Sequence, residues 1–154
     1  MRSILEYAAV VWDPYYRCSV LQIERIQRKF VRFALRNLPW NDPLNLPSYE
    51  DRCLLIDLPL LETRRKVFKA CFVADVLQSR IDCPCVLNSL NIDIRRRCLR
   101  SYQFLRLPAS RTNYAYNKPI ISMSRMFNRC FHVFDFTLSR STTKRLFSDV
   151  FRAS

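Results

Sequence analysis

The chain has 154 residues, with 26 Lys plus Arg against 13 Asp plus Glu, 7 Cys, 8 Pro and no Gly, where average usage of about 7% would supply roughly 11 Gly. Their absence excludes phosphate-binding loops of the Walker and Rossmann types, which need Gly for close backbone approach to a pyrophosphate, and disfavours hairpins on Asn-Gly or Asp-Gly turns. The net charge of +13 is the electrostatic footprint of a protein that meets phosphate, and its 21 Arg against 5 Lys add a bidentate, stacking grip that ammonium lacks.

Hydrophobic residues make up 49% of the chain, enough apolar surface for one folded domain and far from the composition of disorder. Helices can be capped and joined by Pro, Asn, Asp and Ser, so an all-α or mainly α fold is expected: an irregular helical bundle with Pro-rich connections and one Arg-rich loop or extended segment. Three stretches are expected within the single domain 1–154: helices over 1–38, a helical middle over 39–91, and an Arg-rich segment with terminal helices over 92–154.

Residues 2–12 are apolar and end at Asp13-Pro14, which predicts a short helix broken by Pro. No Ser, Thr, Asp or Asn precedes Arg2, so this helix lacks a cap and reads as one that begins inside a domain. Over 20–36, Ile23, Ile26, Phe30, Phe33 and Ala34 recur at helical spacing as a core face. At about 100° per residue, Arg25, Arg28, Lys29, Arg32 and Arg36 gather on the opposite face.

A Pro-rich connection over 39–47 follows. Ser48 with Asp51 three residues on forms a weak capping box for a helix running to about Leu58. Pro59 suits the first turn of a helix over 60–80, whose stripe is Leu60, Val67, Ala70, Cys71, Ala74 and Leu77. A short helix is expected from Pro84 to about Leu90. Residues 93–111 carry Arg95, Arg96, Arg97, Arg100, Arg106 and Arg111 with no acid after Asp93, interleaved with Tyr102 and Phe104, and read as a loop or short extended segment. An amphipathic helix over 120–134 and a fraying terminal one over 140–151 complete the chain.

Catalytic candidates are scarce. His132 is the only His and, between Phe131 and Phe134, reads as a core or partly buried structural residue. No Asp-Asp pair exists to hold two metal ions. Tyr49-Glu50-Asp51-Arg52 lacks the second Asp of a polymerase Tyr-x-Asp-Asp motif. Cys83 and Cys85, Cys98, and Cys130 with His132 could supply four zinc ligands, but zinc pairs usually take two to four intervening residues and both pairs here have one. Free thiols in a reducing compartment are the simpler reading for an odd number of Cys without an export signal. No stretch approaches the roughly 20 apolar residues of a membrane span, so no membrane partner is expected and the location expected is intracellular, in nucleus or cytoplasm.

The basic helix face and the Arg cluster remain. Cations at one helical pitch can track a nucleic-acid backbone in a salt-dependent way, and neighbouring aromatics can stack on unpaired bases. A solvated face opposite a core face is the plainer alternative for both.

The stretch from Ser3 through Tyr7-Ala8-Ala9-Val10-Val11-Trp12 to Asp13-Pro14, followed by Ile23-Glu24-Arg25-Ile26-Gln27-Arg28-Lys29-Phe30, resembles the region just downstream of the polymerase core in jockey-type non-LTR retrotransposon reverse transcriptases. Phe33-Ala34-Leu35-Arg36 with Leu38-Pro39-Trp40, Tyr49 to Cys53, Ile81 to Pro84, Arg111 to Tyr114, and Phe134-Asp135-Phe136 with Ser139-Arg140 are similar to the C-terminal part of that family's second reading frame. Ala115 stands where members often carry Gly. The resemblance implies a thumb and post-palm region that holds RNA or an RNA/DNA primer-template, with the palm of an intact reverse transcriptase as a further partner. It brings no catalytic, metal or cofactor residue, because no position matches the polymerase carboxylates or the endonuclease. The expected function is therefore non-catalytic nucleic-acid binding, with Met1 an internal methionine of a truncated copy. A decayed remnant, or a protein-interaction module with no nucleic-acid role, is the alternative.

Overall fold

The computed structural model describes residues 6–36, 47–93 and 103–152. Among them are eight α-helices and no strand, the mainly α class that the composition suggests. In chain order they are α1 (Ala9–Trp12), α2 (Arg17–Ala34), α3 (Tyr49–Leu55), α4 (Leu61–Leu77), α5 (Pro84–Ser89), α6 (Asn113–Tyr116), α7 (Pro119–Cys130) and α8 (Arg140–Arg152), with a 3-10 turn at Phe131–Val133.

The helix α4 is the axis. It touches α1, α2, α5, α7 and α8, and between Leu61 and Leu77 only Glu62 is exposed. Val67, Ala70, Val73 and Ala74 of α4 form one core with Leu90, Leu105, Met123, Phe127, Cys130, Phe147 and Phe151. Small α4 residues let α7 and α8 approach closely, and aromatic rings fill the space between. Phe127 meets Phe134 edge-on at 5.0 Å and Phe147 at 6.3 Å, the arrangement that the ring quadrupole favours.

Two expectations change here. The terminal helix α8 does not fray: Thr143, Phe147 and Phe151 are buried along one face, so tertiary packing holds what a 13-residue helix could not hold alone. The 93–111 stretch keeps the expected loop or short extended form where it is described: residues 94–102 lie outside the described residues, and Ile92 and Leu105 form an antiparallel bridge. Asn128 anchors that extended piece on α7 by accepting from Leu105 N (2.9 Å) and donating to Leu105 O (2.7 Å). The expected helix over 120–134 is instead α7 followed by the 3-10 turn.

Helix starts follow local chemistry. Ser48 Oγ accepts from Asp51 N, and Asp51 Oδ2 accepts from Ser48 N, closing the capping box expected there. Pro84 and Pro119 occupy first turns, where the missing N–H costs nothing. The departure from ordinary helix chemistry is at the ends. After α3, Leu58 N donates to Cys53 O and Asp57 N to Leu54 O, and after α4, Arg80 N donates to Asp75 O and Ser79 N to Val76 O. Both are Schellman ends, whose left-handed residue is usually Gly. With no Gly in the chain, Asp57 (φ 49°) and Ser79 (φ 55°) take that conformation. Each carries Cβ strain of order 1 kcal/mol. Ser79→Gly should therefore raise unfolding stability by about 0.5–1 kcal/mol, read from the urea midpoint, and an unchanged or lowered midpoint would refute the strain.

Candidate nucleic-acid interface

Helix α2 carries the basic face. Arg25, Arg28, Lys29 and Arg32 are exposed on it, with Arg36 just beyond its end, also exposed. The guanidinium of Arg28 lies 4.8 Å from the centre of the Tyr49 ring, an orientation that fixes a long side chain without neutralising it. The only acid in α2 is Glu24, and it is buried. The outer surface of the helix thus holds cations with no acid among them.

The buried face of α2 is not the apolar one expected. Glu24, Gln27 and Val31 are its buried residues, while Ile26, Phe30 and Phe33 are 41%, 49% and 72% exposed; Ala34 is exposed and Ile23 half-buried. The reason lies on α4. Leu60, at the N-cap of α4, has no side chain able to accept a hydrogen bond, so Glu24 Oε1 accepts from Leu61 N (3.2 Å) and caps that helix from outside. The same oxygen accepts from the Tyr49 hydroxyl (2.6 Å). Burial and this carboxylate together hold the Tyr49 phenol far above its ordinary pKa. Gln27 accepts from Arg64 Nη2 (2.6 Å) and donates to Pro59 O (3.2 Å). A polar seam therefore docks α2, and two outward faces remain, one cationic and one apolar.

The other expected contacts divide. Arg95, Arg96, Arg97, Arg100 and Tyr102 lie outside the described residues. Arg106 and Arg111 are exposed. Phe104 is stacked on Phe131 at 4.5 Å and packs against the core, so it is not available to stack on a base. His132 is exposed rather than a core residue: Phe131 and Val133 of the 3-10 turn, with Phe134 just after it, pack against the core and leave the imidazole outside. Tyr49-Glu50-Asp51 is structural, Tyr49 serving Glu24 and Asp51 the capping box. At Ala115 the chain makes a helical turn in which Thr112 Oγ1 accepts from Ala115 N, a place where Ala serves well.

Cys18, Cys53, Cys71, Cys83, Cys85 and Cys130 are free thiols, and among the described residues no three His, Cys, Asp or Glu side chains come together to hold a metal. Also among them, no helix is long and apolar enough to cross a membrane. No protein-family model, curated protein or solved structure matches the chain.

What sequence patterning misses is the inward-facing charge of α4. Arg64, Arg65, Lys69 and Asp75 are all buried. In sequence, Glu62-Thr63-Arg64-Arg65-Lys66 looks like a solvated run, and no local signal says otherwise, because the acids that pair with Arg64, Arg65 and Lys69 are Glu6 and Asp13, far upstream.

Two expectations follow from this packing. Val31→Ala should cost about 2 kcal/mol, whereas Phe33→Ala should change stability by less than about 0.5 kcal/mol; the reverse order in urea melts would mean that α2 docks by its apolar face. Burial lifts the Cys130 thiol to about 12 and the Cys71 thiol to about 11, from an ordinary 9.0, with Cys71 and Asp75 respectively adding to the effect. Above pH 9 the folded chain retains protons that the unfolded chain releases, so this contribution is whole below that pH and is lost as pH climbs through the folded values. The double variant C71A/C130A should lose less stability than the parent between about pH 8.5 and 10.5, measured by denaturation at each pH.

Proposed function

We propose that the chain is a non-catalytic nucleic-acid-binding element that engages RNA or an RNA/DNA primer-template through the cationic face of α2. The observation that carries this reading is the exposed array of Arg25, Arg28, Lys29, Arg32 and Arg36 on and beside a helix whose single acid is turned inward. From Arg25 to Arg32 the array extends about 10 Å along the helix at ~1.5 Å per residue, long enough to meet successive phosphates. The net charge of +13 draws a polyanion from a distance. The resemblance of the chain to the post-palm region of jockey-type reverse transcriptases supports the choice of ligand, and makes the intact palm a second partner.

A protein-interaction role is the other reading, favoured by the exposed row Ile26, Phe30 and Phe33 beside the cationic face. The two separate by salt and by residue. Four Gln substitutions at Arg25, Arg28, Lys29 and Arg32 should flatten the log–log salt dependence of RNA affinity by about 3, at roughly 0.7–0.9 for each phosphate no longer neutralised, read by fluorescence anisotropy on a short hairpin. Equal, negligible binding by folded protein at about 50 and 200 mM salt would end the nucleic-acid reading.

A further inference from the structure

We propose a second anion site on the molecule, a cleft where α4 faces the Asp13-Pro14 junction and the first turns of α7, built to take a single phosphate group. The cleft encloses about 200 Å³ and is lined by Asp13, Arg65, Lys66, Lys69, Ser122 and Arg125, among others. Sites for drug-sized ligands run to roughly 300–1,000 Å³, so this volume suits a small oxyanion and not a whole nucleotide.

Charge favours the anion. Four cations, Arg65, Lys66, Lys69 and Arg125, line the cleft against two acids, Asp13 and Glu62; 4 − 2 leaves +2. Glu62 is taken by Lys66 at 2.6 Å. Asp13 is shared, with Oδ1 2.7 Å from Arg65 Nε and Oδ2 2.6 Å from Lys69 Nζ, so one carboxylate serves two cations that are both more than nine-tenths buried. Lys69 also donates to Ser122 Oγ at 2.8 Å.

The second observation is independent of charge. Arg65 is 1% exposed, and its Nη1 and Nη2 have no hydrogen-bond acceptor; neither has the buried Nε of Arg125. Arg125 is held in place by donating from Nη2 to Tyr116 O and by lying 3.5 Å from the centre of the Tyr116 ring. Buried guanidinium donors left without acceptors are destabilising. These donors are closed to solvent, so a tetrahedral oxyanion in the cleft reaches them as the guanidinium groups turn toward it, in the forked geometry that guanidinium prefers. Lys118, at the N-cap of α7, contributes no side-chain cap, so the partial positive charge of that helix start adds to the field. This inference does not rest on the α2 reading, since none of the cations in the cleft belongs to α2.

Inorganic phosphate on the full chain is the direct probe. At about 10 mM it should raise the melting temperature by about 3 °C over sodium chloride of equal ionic strength, as expected for millimolar affinity. Arg125→Gln should abolish that rise, and Lys66→Gln should reduce it, while both retain the parent circular dichroism. The α2 variant with four Gln substitutions should keep it. Phosphorus NMR then separates the sources: displacement of inorganic phosphate by a 5′-phosphorylated oligonucleotide but not by its 5′-hydroxyl counterpart assigns a terminal phosphate. Displacement by both assigns a phosphodiester, and by neither assigns the free ion, each with the site upheld. A phosphate effect no larger than that of chloride, or one unchanged in Arg125→Gln, would overturn the proposal. Should Arg65→Met fail to fold, the Arg125 and Lys66 variants still decide it.

Discussion

The fold depends on placing α4 at the centre although four of its buried side chains are charged. Buried charge is tolerated only when paired and hydrogen-bonded, and here the partners come from several neighbouring segments. Arg64 meets Glu6 at 2.6 Å and Gln27 of α2. Arg65 and Lys69 share Asp13, next to α1, and Lys69 reaches Ser122 of α7. Asp75 lies 3.0 Å from Arg140 at the start of α8. Such pairs add little net stability over apolar packing, but breaking one costs about 3–5 kcal/mol. The apolar cluster of Phe127, Phe147 and Leu105 with the small residues of α4 supplies the burial, and the ionic contacts select which helix sits where.

That division of labour decides what α2 can offer to a partner. A helix of 18 residues has room around it for three faces, and the narrow one made of polar Glu24 and Gln27 with Val31 is claimed by α4. Had the Ile26, Phe30 and Phe33 face gone inward, Arg64 and Leu61 N would be without their acceptors on α2. The chain satisfies those groups and leaves apolar surface exposed, at a cost of about 25 cal/mol per Å² left in water. The cationic face is outward in either arrangement, so the change of docking face leaves it available to a ligand.

Much of the local architecture is legible in the sequence. The Ser48–Asp51 box, the Pro-led starts of α5 and α7, and the span of α4 to within a few residues all follow from caps, Pro and periodicity acting over one turn. The absence of Gly is legible as a bias to helix, but its consequence at helix ends is not, because the need for a left-handed Asp57 or Ser79 arises only once α3 and α4 close with Schellman bonds. His132 and Phe104 escape sequence patterning for a related reason: a 3-10 turn and a single β-bridge turn neighbouring aromatics in directions that helical periodicity does not describe.

By itself, the sequence determined the helical class, most element boundaries and the cationic stripe of α2, since these depend on residues a few positions apart and on net charge. The tertiary structure alone decided which face of α2 is buried, that α8 is docked, and that Arg65 and Arg125 converge on one cleft. Those outcomes rest on contacts between residues such as Glu24 and Leu61, 37 positions apart, whose free energy is set by what each group finds after the chain has closed on itself. No local pattern encodes that partner, because a buried guanidinium and a solvated one are written with the same residue.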